Sequence, residues 1–595
     1  MKNINNYSLP ELQNYIDNFD TSNYSKLNIV ILRNITVEAI TPYLRYLAIQ
    51  MGFLPNVVFG NYDNVLQDAK STNDQLINQN TDCIMVFTRL ETLSPKLTNS
   101  FTQLDLNSIE EEKKFVKNYI VSTLGSIRKK TNAIINWQGF ELPVYPAFGV
   151  MDNTRSDMQM GTIRELNDFL KLQLRDFKNS FFIDINTSRS MVGYKKFYDN
   201  RYWHIGKAPY TLEALKEISI DNFKLFRALK GKNKKCLVLD CDNTLWGGIV
   251  GEDGLEGIKL GPNYPGSAFL VFQQEILSLY HRGIVIALCS KNNESDVWDV
   301  VDNHPHMLIK KKHISTAMIN WEDKASNIKQ IADNLNIGLD SIVFVDDNEF
   351  ETNLVKELLP AVETIHLPKG KSADYKDMLA SSGFFDSLTF TDEDKKRSQL
   401  YKTEFIRKKD QKKFSGNMNS YYKTLNMSVY IEKANESVVP RIAQLTQKTN
   451  QFNLTTKRYT ESDIEEFIKS KNSDILFVKL EDRFGDMGIV GACIIKYFNG
   501  FAEIDTFLLS CRVIGRGVEK VLLNASIKLA KNRNLTMVKG LYIRTNKNNQ
   551  VFDFYTKNKF IKEEEDEQKV KFIFETIKKV SPMPSYFKEI NIVCL

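Results

Sequence analysis

Residues 235–248 constrain this chain more than any other segment. The apolar run Cys236-Leu237-Val238-Leu239 reads as a buried parallel strand, and it is followed by Asp240, Asp242 and Thr244 and by the Gly247-Gly248 turn. A spacing of two on an extended chain points both carboxylates the same way. At the carboxyl edge of an open α/β sheet, such a pair can hold a divalent cation while one Asp attacks phosphorus or an acyl carbon. Two Asp that only cap a turn are the structural alternative.

Three further elements follow in order. The apolar run at 284–290 ends in the hydroxyl of Ser290, suited to donate to a phosphoryl oxygen. Lys324 opens an amphipathic stretch, where it can neutralise charge on a transferring group. The run at 342–348 ends in Asp346-Asp347-Asn348, paired acids that complete a Mg²⁺ site with Asp240. The ordered set resembles the motifs of the haloacid dehalogenase (HAD) phosphotransferase superfamily. The resemblance implies that Asp240 is nucleophile and Mg²⁺ ligand, and that Asp242 serves as acid, base and ligand. It also implies that Thr244 and Ser290 position substrate oxygens, Lys324 offsets developing charge, and Asp346 and Asp347 anchor the cation. Little chain is left between these elements for a cap, so the site is expected to be open, as suits a substrate carried on a macromolecule or a small metabolite.

The chain has 595 residues, 42% of them hydrophobic, enough for several packed domains. Lys+Arg 79 against Asp+Glu 73 leaves +6, and the basic residues form no stripe with aromatics, which argues against nucleic acid. Cysteines at 83, 236, 241, 289, 493, 511 and 594 include no Cys-x-x-Cys pair, the usage of a reducing cytoplasm. No apolar run suits a leader or a membrane span, so a cytoplasmic protein is expected.

Short apolar runs alternate with helical stretches up to about residue 230, which predicts an α/β domain with a parallel sheet over 1–230. The HAD-like domain is expected at 232–375, and the charged stretch 376–425 reads as a helical connector. Beyond it, a strand at 502–509 runs into Cys511-Arg512-Val513-Ile514-Gly515-Arg516-Gly517 and a long helix. Arg512, Gly515 and Gly517 between strand and helix offer backbone N–H groups to a pyrophosphate or phosphopantetheine. With a further strand at 537–543 and the Asn548…Phe554-Tyr555…Phe560 element, the stretch 426–580 is similar to the pantetheine-binding core of the GNAT acyltransferase fold. Residues 581–595 are expected to be a tail. The fold class is therefore multidomain α/β: an SGNH-like α/β domain, a HAD-like Rossmannoid domain with minimal cap, and a GNAT-like α+β domain.

Residues 239–248 with Gly251-Glu252-Asp253-Gly254, the stretch 448–456 (Lys-Thr-Asn-Gln-Phe-Asn-Leu-Thr-Thr) and the segment 510–517 together resemble the FkbH-like proteins over nearly the full chain. The resemblance implies a glyceryltransferase/phosphatase. Such an enzyme takes a glyceryl unit from 1,3-bisphosphoglycerate, removes phosphate, and loads the glyceryl group as a thioester on an acyl carrier protein for polyketide-type biosynthesis. It also implies an SGNH hydrolase-like first domain. Here Leu32-Arg33-Asn34-Ile35-Thr36 stands where a Gly-Asp-Ser nucleophile turn is expected, which argues against independent hydrolase activity. Two other classes compete: a Mg²⁺-dependent phosphatase whose flanking domains only bind partners, and a non-catalytic scaffold.

A glyceryl thioester on the enzyme would require a thiol. Cys511, before a helix N-terminus and beside Arg512, has the surroundings in which thiols become nucleophilic. Cys241 alternates away from the two acids and reads as a packing residue. His304, His306 and His313 read as a solvated loop around Pro305 rather than a metal site, and His204 as a structural histidine. Trp246 and Trp321 are expected to pack around the carboxylate site.

Overall fold

Strand formation follows the apolar runs. The computed structural model describes residues 4, 7–20, 24–72, 75–388, 390–545 and 547–593. They form two compact units, Met1–Arg227 and Ala228–Leu595.

In the first unit, β1 (Ser25–Arg33), β2 (Phe53–Phe59), β3 (Cys83–Phe87), β4 (Ile134–Gln138) and β5 (Ser180–Ile183) make one parallel sheet in the order β2-β1-β3-β4-β5. Successive strand residues point to opposite faces, so each strand feeds two cores. Ile29, Ile31, Met85 and Phe87 lie in one, Val30, Leu32, Ile84 and Val86 in the other. At the carboxyl edge the Asn34 amide exchanges hydrogen bonds with the Arg89 backbone at 3.0 and 2.7 Å. Arg89 pairs with Glu91 (2.9 Å) and Glu141 (3.3 Å), and Tyr198 donates to Glu141 at 2.7 Å. Asn34 thus spends its side chain on a structural network, and His204 lies exposed on the helix Asn200–Gly206.

In the second unit, β6 (Cys236–Leu239), β7 (Val285–Ser290), β8 (Ile314–Ile319), β9 (Ile342–Asp346) and β10 (Glu363–His366) form a parallel sheet in the order β10-β9-β6-β7-β8. The same alternation divides Leu237, Leu239, Val343 and Val345 from Cys236, Val238, Ile342 and Phe344. Its central pair, β6 and β9, brings the two acidic strand ends side by side.

The remaining strands are β11 (Ser428–Lys433), β12 (Phe452–Asn453), β13 (Ser473–Asp482), β14 (Gly485–Tyr497), β15 (Phe501–Leu509), β16 (Met537–Ile543), β17 (Ile561–Glu565), β18 (Lys569–Glu575) and β19 (Glu589–Ile592). They form one mixed sheet in the order β17-β18-β16-β15-β14-β13-β11-β19. β15 and β16 pair in parallel only from Phe501 to Ile504, and beyond that point they part. The short β12 pairs with the free end of β15, at Leu508 and Leu509. The helix Val518–Asn532 crosses from β15 to β16.

Two expectations change here. Residues 581–595 are not only a tail, because β19 within them pairs in parallel with β11. The connector helix Asp392–Lys413 is no solvated tether, because its charges have partners on both sides. Lys402 donates to the Lys311 and Lys312 carbonyls at 2.8 and 2.6 Å, on the β8 side. Glu404 pairs with Arg516 at 2.7 Å and with Arg407 at 2.5 Å, and Arg407 reaches Asp482 of β13 at 2.7 Å. All four side chains are buried. No helix among the described residues is long and apolar enough to cross a membrane.

Removing one member of such a network leaves buried charge uncompensated. Glu404→Ala is expected to destabilise the second unit by about 3–5 kcal/mol, read as a lowered denaturant midpoint, because Arg407 and Arg516 then lose their shared carboxylate.

Candidate active site

β6 ends at Leu239, and the Asp240 N–H donates to the Val345 carbonyl of β9 at 3.0 Å. That bond sets Asp240 beside Asp346, the last residue of β9. Carboxylate oxygens of Asp240, Asp346 and Asp347 all lie within 4.8 Å of one another, and all three residues are buried, 5%, 0% and 8% exposed. One buried ammonium faces them: Lys324 Nζ stands 3.0 Å from Asp240 Oδ1 and also contacts Asp346 Oδ2. An exposed one, Lys369 Nζ, stands 3.6 Å from Asp347 Oδ2. The position of Lys324 is fixed because it opens the helix Lys324–Leu335, which the Asp323 side chain caps through the Ser326 N–H at 2.8 Å.

The charges explain the titration behaviour. Burial, then the Asp240 charge, pushes the Asp346 carboxyl up against the opposing pull of Lys324. Asp347 is pushed up to about 6 by burial and Asp240. The two carboxylates hold Lys324 firmly protonated in spite of its burial. Three carboxylates against two ammoniums, one of them the exposed Lys369, leave one negative charge in excess, with oxygen ligands only and within reach of one ion. The residues present therefore fit a small hard divalent cation such as Mg²⁺.

Asp242 is placed elsewhere. Its carboxylate accepts from Trp246 Nε1 (2.9 Å), the Val250 N–H (3.1 Å) and Asn292 Nδ2 (2.8 Å), and it is not in the metal group. The two-residue spacing fails because the strand has already ended: the chain turns through Asn243, at φ 54°, so alternation no longer applies. Burial pushes the Asp242 carboxyl up, opposed by those three donors. Asn292 was not singled out from the sequence, although it directly follows the Ser290-Lys291 strand end.

Thr244 is fully buried, and its Oγ1 has no hydrogen-bond partner among the described residues. Ser290 is buried at the end of β7. Burial pushes the Cys241 thiol far up, in keeping with a packing role. Trp246 is buried and donates to Asp242, whereas Trp321 is 70% exposed and its Nε1 donates to Asn293 Oδ1 at 3.3 Å. His304 and His313 are buried rather than solvated, with His313 Nδ1 accepting from the Lys310 N–H at 3.0 Å.

The segment expected to cradle pantetheine is used differently. Gly517, at φ 80°, caps the helix Val518–Asn532, and a Cβ there would meet Tyr586 Oη at 2.4 Å and Pro584 Cγ at 2.8 Å. The Glu519 carboxylate lies at the start of that helix, with its Oε2 buried and without a hydrogen-bond partner among the described residues. Gly515, at φ 79°, is exposed and uncrowded. Arg512 and Cys511 turn the other way, toward Tyr401, whose hydroxyl lies 3.9 Å from Cys511 Sγ. Cys511 is half-buried, while Cys83, Cys236, Cys241, Cys289 and Cys493 are buried.

No family model matches the chain, and no curated protein is similar to it. Among solved structures, it is similar to the N-terminal part of the protein BF1531 from Bacteroides fragilis, which contains a phosphatase domain complexed with Mg. The TM-score is 0.58 at 28% identity, over 64% of this chain and all of that one. Two shorter matches each cover 25% of this chain with a TM-score of 0.21. One is the ribosomal-protein-S18-alanine N-acetyltransferase of Escherichia coli, at 11% identity over 94% of its length. The other is a putative streptothricin acetyltransferase from Bacillus anthracis, at 18% over 99%. The chain is a multidomain α/β protein, as its sequence led one to expect.

A bound cation would replace protons on the metal group. Asp346 and Asp347 carry folded-state pKa values above their unfolded ones, so in metal-free protein their stabilising contribution is lost as pH rises through that range. Mg²⁺ is expected to raise the melting temperature of EDTA-treated protein at pH 7.5, by about 2.7 kcal/mol of stability at a hundredfold excess over Kd. The rise should shrink as pH falls below about 6, where a proton on Asp347 competes. Asp346→Asn should remove it.

Proposed function

We propose that the chain is an FkbH-like enzyme, a Mg²⁺-dependent phosphatase coupled to acyl transfer, which moves a glyceryl unit from 1,3-bisphosphoglycerate to the phosphopantetheine thiol of an acyl carrier protein and removes its phosphate. The observation that carries this reading is that one compact unit contains both the buried Asp240–Asp346–Asp347–Lys324 constellation and a half-buried thiol, Cys511, where β15 and β16 part. The Mg-complexed phosphatase domain of the Bacteroides fragilis protein supports the first half of it.

Asp240, Asp346 and Asp347 would hold the Mg²⁺ ion, which when bound offsets charge on the phosphoryl oxygens. Asp240 attacks phosphorus, and the P–O bond to the leaving group breaks. Asp242, whose carboxyl is pushed up, gives its proton to the leaving oxygen and then takes one from the water that frees the phosphate. Lys324 stabilises the charge that develops between Asp240 and the incoming group. In the acyl half, Cys511 Sγ bonds to the carbonyl carbon of an acyl phosphate. The C–O bond breaks, phosphate departs with the electron pair, the thiol proton goes to solvent, and the carrier thiol then displaces Cys511.

One observation favours a plainer reading. Tyr586 and Pro584 close over Gly517 in the turn expected to receive pantetheine phosphate, as they would if the third sheet only bound partners.

Asp240→Asn is expected to lower phosphate release by on the order of 10³-fold or more without unfolding the chain; activity within about tenfold of the parent would reject Asp240 as nucleophile. For the acyl half, a phosphopantetheinylated carrier incubated with 1,3-bisphosphoglycerate, Mg²⁺ and this protein should gain one glyceryl mass by intact-mass analysis. The plain phosphatase leaves the carrier mass unchanged.

A further inference from the structure

Beside Cys511 lies a cavity of about 300 Å³, within the size range of small-ligand sites. Six cationic side chains line it: Lys235, Arg397, Arg441, Lys448, Arg512 and Lys547. Two carboxylates answer them. Asp394 pairs with Arg397 and, at 3.4 Å, with Lys448, and Asp340 pairs with Lys547. Lys235 Nζ donates to the Lys448 carbonyl at 2.6 Å and shares the Asp340 charge with Lys547, so basic groups outnumber acids here. Arg512 is 7% exposed; its Nε donates to Ser510 Oγ at 3.2 Å, and its Nη1 has no hydrogen-bond partner among the described residues. A buried guanidinium with an unused N–H is costly unless an acceptor arrives. Burial, then the Arg397 guanidinium, holds the Lys448 ammonium well below its usual range, the crowding that an anion would relieve.

The cavity's place in the fold separates it from the carboxylates. Lys235 precedes β6, and Gly338, Asp340 and Ser341 precede β9, so the cavity opens at the amino edge of the sheet whose carboxyl edge holds Asp240 and Asp346. From Lys235 to Asp240 the strand spans roughly 17 Å of packed sheet.

We propose that this cavity is a second anion site, which holds a small phosphorylated acyl donor by its phosphate next to Cys511 and is distinct from the carboxylate site. The proposal deepens the acyl-transfer reading and rests on it. Arg512 supplies the unpaired donor, with Lys235 and Lys448 beside it. The phosphate so held cannot reach Asp240 without leaving the cavity.

The test is local alkylation of Cys511 in EDTA, located by peptide mass. Iodoacetate, an anion, and iodoacetamide, its neutral counterpart, are compared with each other and normalised to glutathione. Iodoacetate is expected to be favoured by about tenfold, the scale of electrostatic focusing in a charged cleft. 3-Phosphoglycerate, which has the phosphate and no activated acyl group, should protect Cys511 from both reagents. Arg512→Gln and Lys448→Gln, each first shown to keep the Mg²⁺-dependent melting shift, should bring the ratio toward one. A parental ratio of one or below, or no protection by 3-phosphoglycerate, overturns the proposal without need of either variant. If the carrier is nevertheless loaded, the transfer reading survives and this site does not. Anion preference without carrier loading supports the site and rejects glyceryl transfer.

Discussion

Everything at the carboxyl edge of the central sheet depends on one buried ammonium among three carboxylates, with the exposed Lys369 beside Asp347. Like charges about 4 Å apart repel by roughly 4 kcal/mol at the effective dielectric of such sites, so Asp240, Asp346 and Asp347 cannot all stay ionised without compensation. Lys324 gives part of it, from a helix whose start is fixed by Asp323. The remainder is left for protons or a divalent cation. A site of this kind is poised for phosphate only when the cation is present, because a phosphate dianion otherwise meets net negative charge. The sheet order supplies the geometry, since β6 and β9 are neighbours although about a hundred residues separate them.

The helix Asp392–Lys413 joins this sheet to the third one. Its outward charges are spent on fixed partners: Lys402 on the Lys311 and Lys312 carbonyls, Glu404 on Arg516, Arg407 on Asp482. Buried ion pairs add little net stability over apolar packing, but they specify one arrangement, because any other leaves charges unpaired. The segment around Arg516 is thereby held in fixed relation to the HAD-like sheet, and Cys511 with it.

The sequence foretold what periodicity controls and missed what side chains do after a strand has ended. The runs at 236–239, 285–290 and 342–346 announced β6, β7 and β9, because a parallel strand buried on both faces must be apolar throughout. Asp240, Asp346 and Asp347 followed from those ends, and Lys324 from the start of an amphipathic stretch. Asp242 did not, because its orientation depends on the turn at Asn243 and on Trp246, Val250 and Asn292. The Gly515-Arg516-Gly517 turn misled for a related reason. Glycines predict room for an anion, but at Gly517 that room is taken by Pro584 and Tyr586, from a strand-bearing segment that read as a tail. Burial of the charged connector was equally hidden, since its partners lie far away in sequence.

The two edges of the β10-β9-β6-β7-β8 sheet carry opposite charge. At the carboxyl edge acids exceed the ammoniums of Lys324 and Lys369, and phosphate affinity is conditional on a cation; at the amino edge basic side chains exceed acids. On the proposed reading, a phosphorylated acyl donor would be drawn first to the thiol and not to the carboxylates. Acylation of the thiol then changes which group must travel. On that reading the acyl chain, once on a carrier's flexible arm, would be presented at the distant carboxyl edge. Sites placed back to back across one packed sheet would then keep the carboxylates from the activated donor until the thiol has captured it, the order that loading of a phosphorylated acyl group requires.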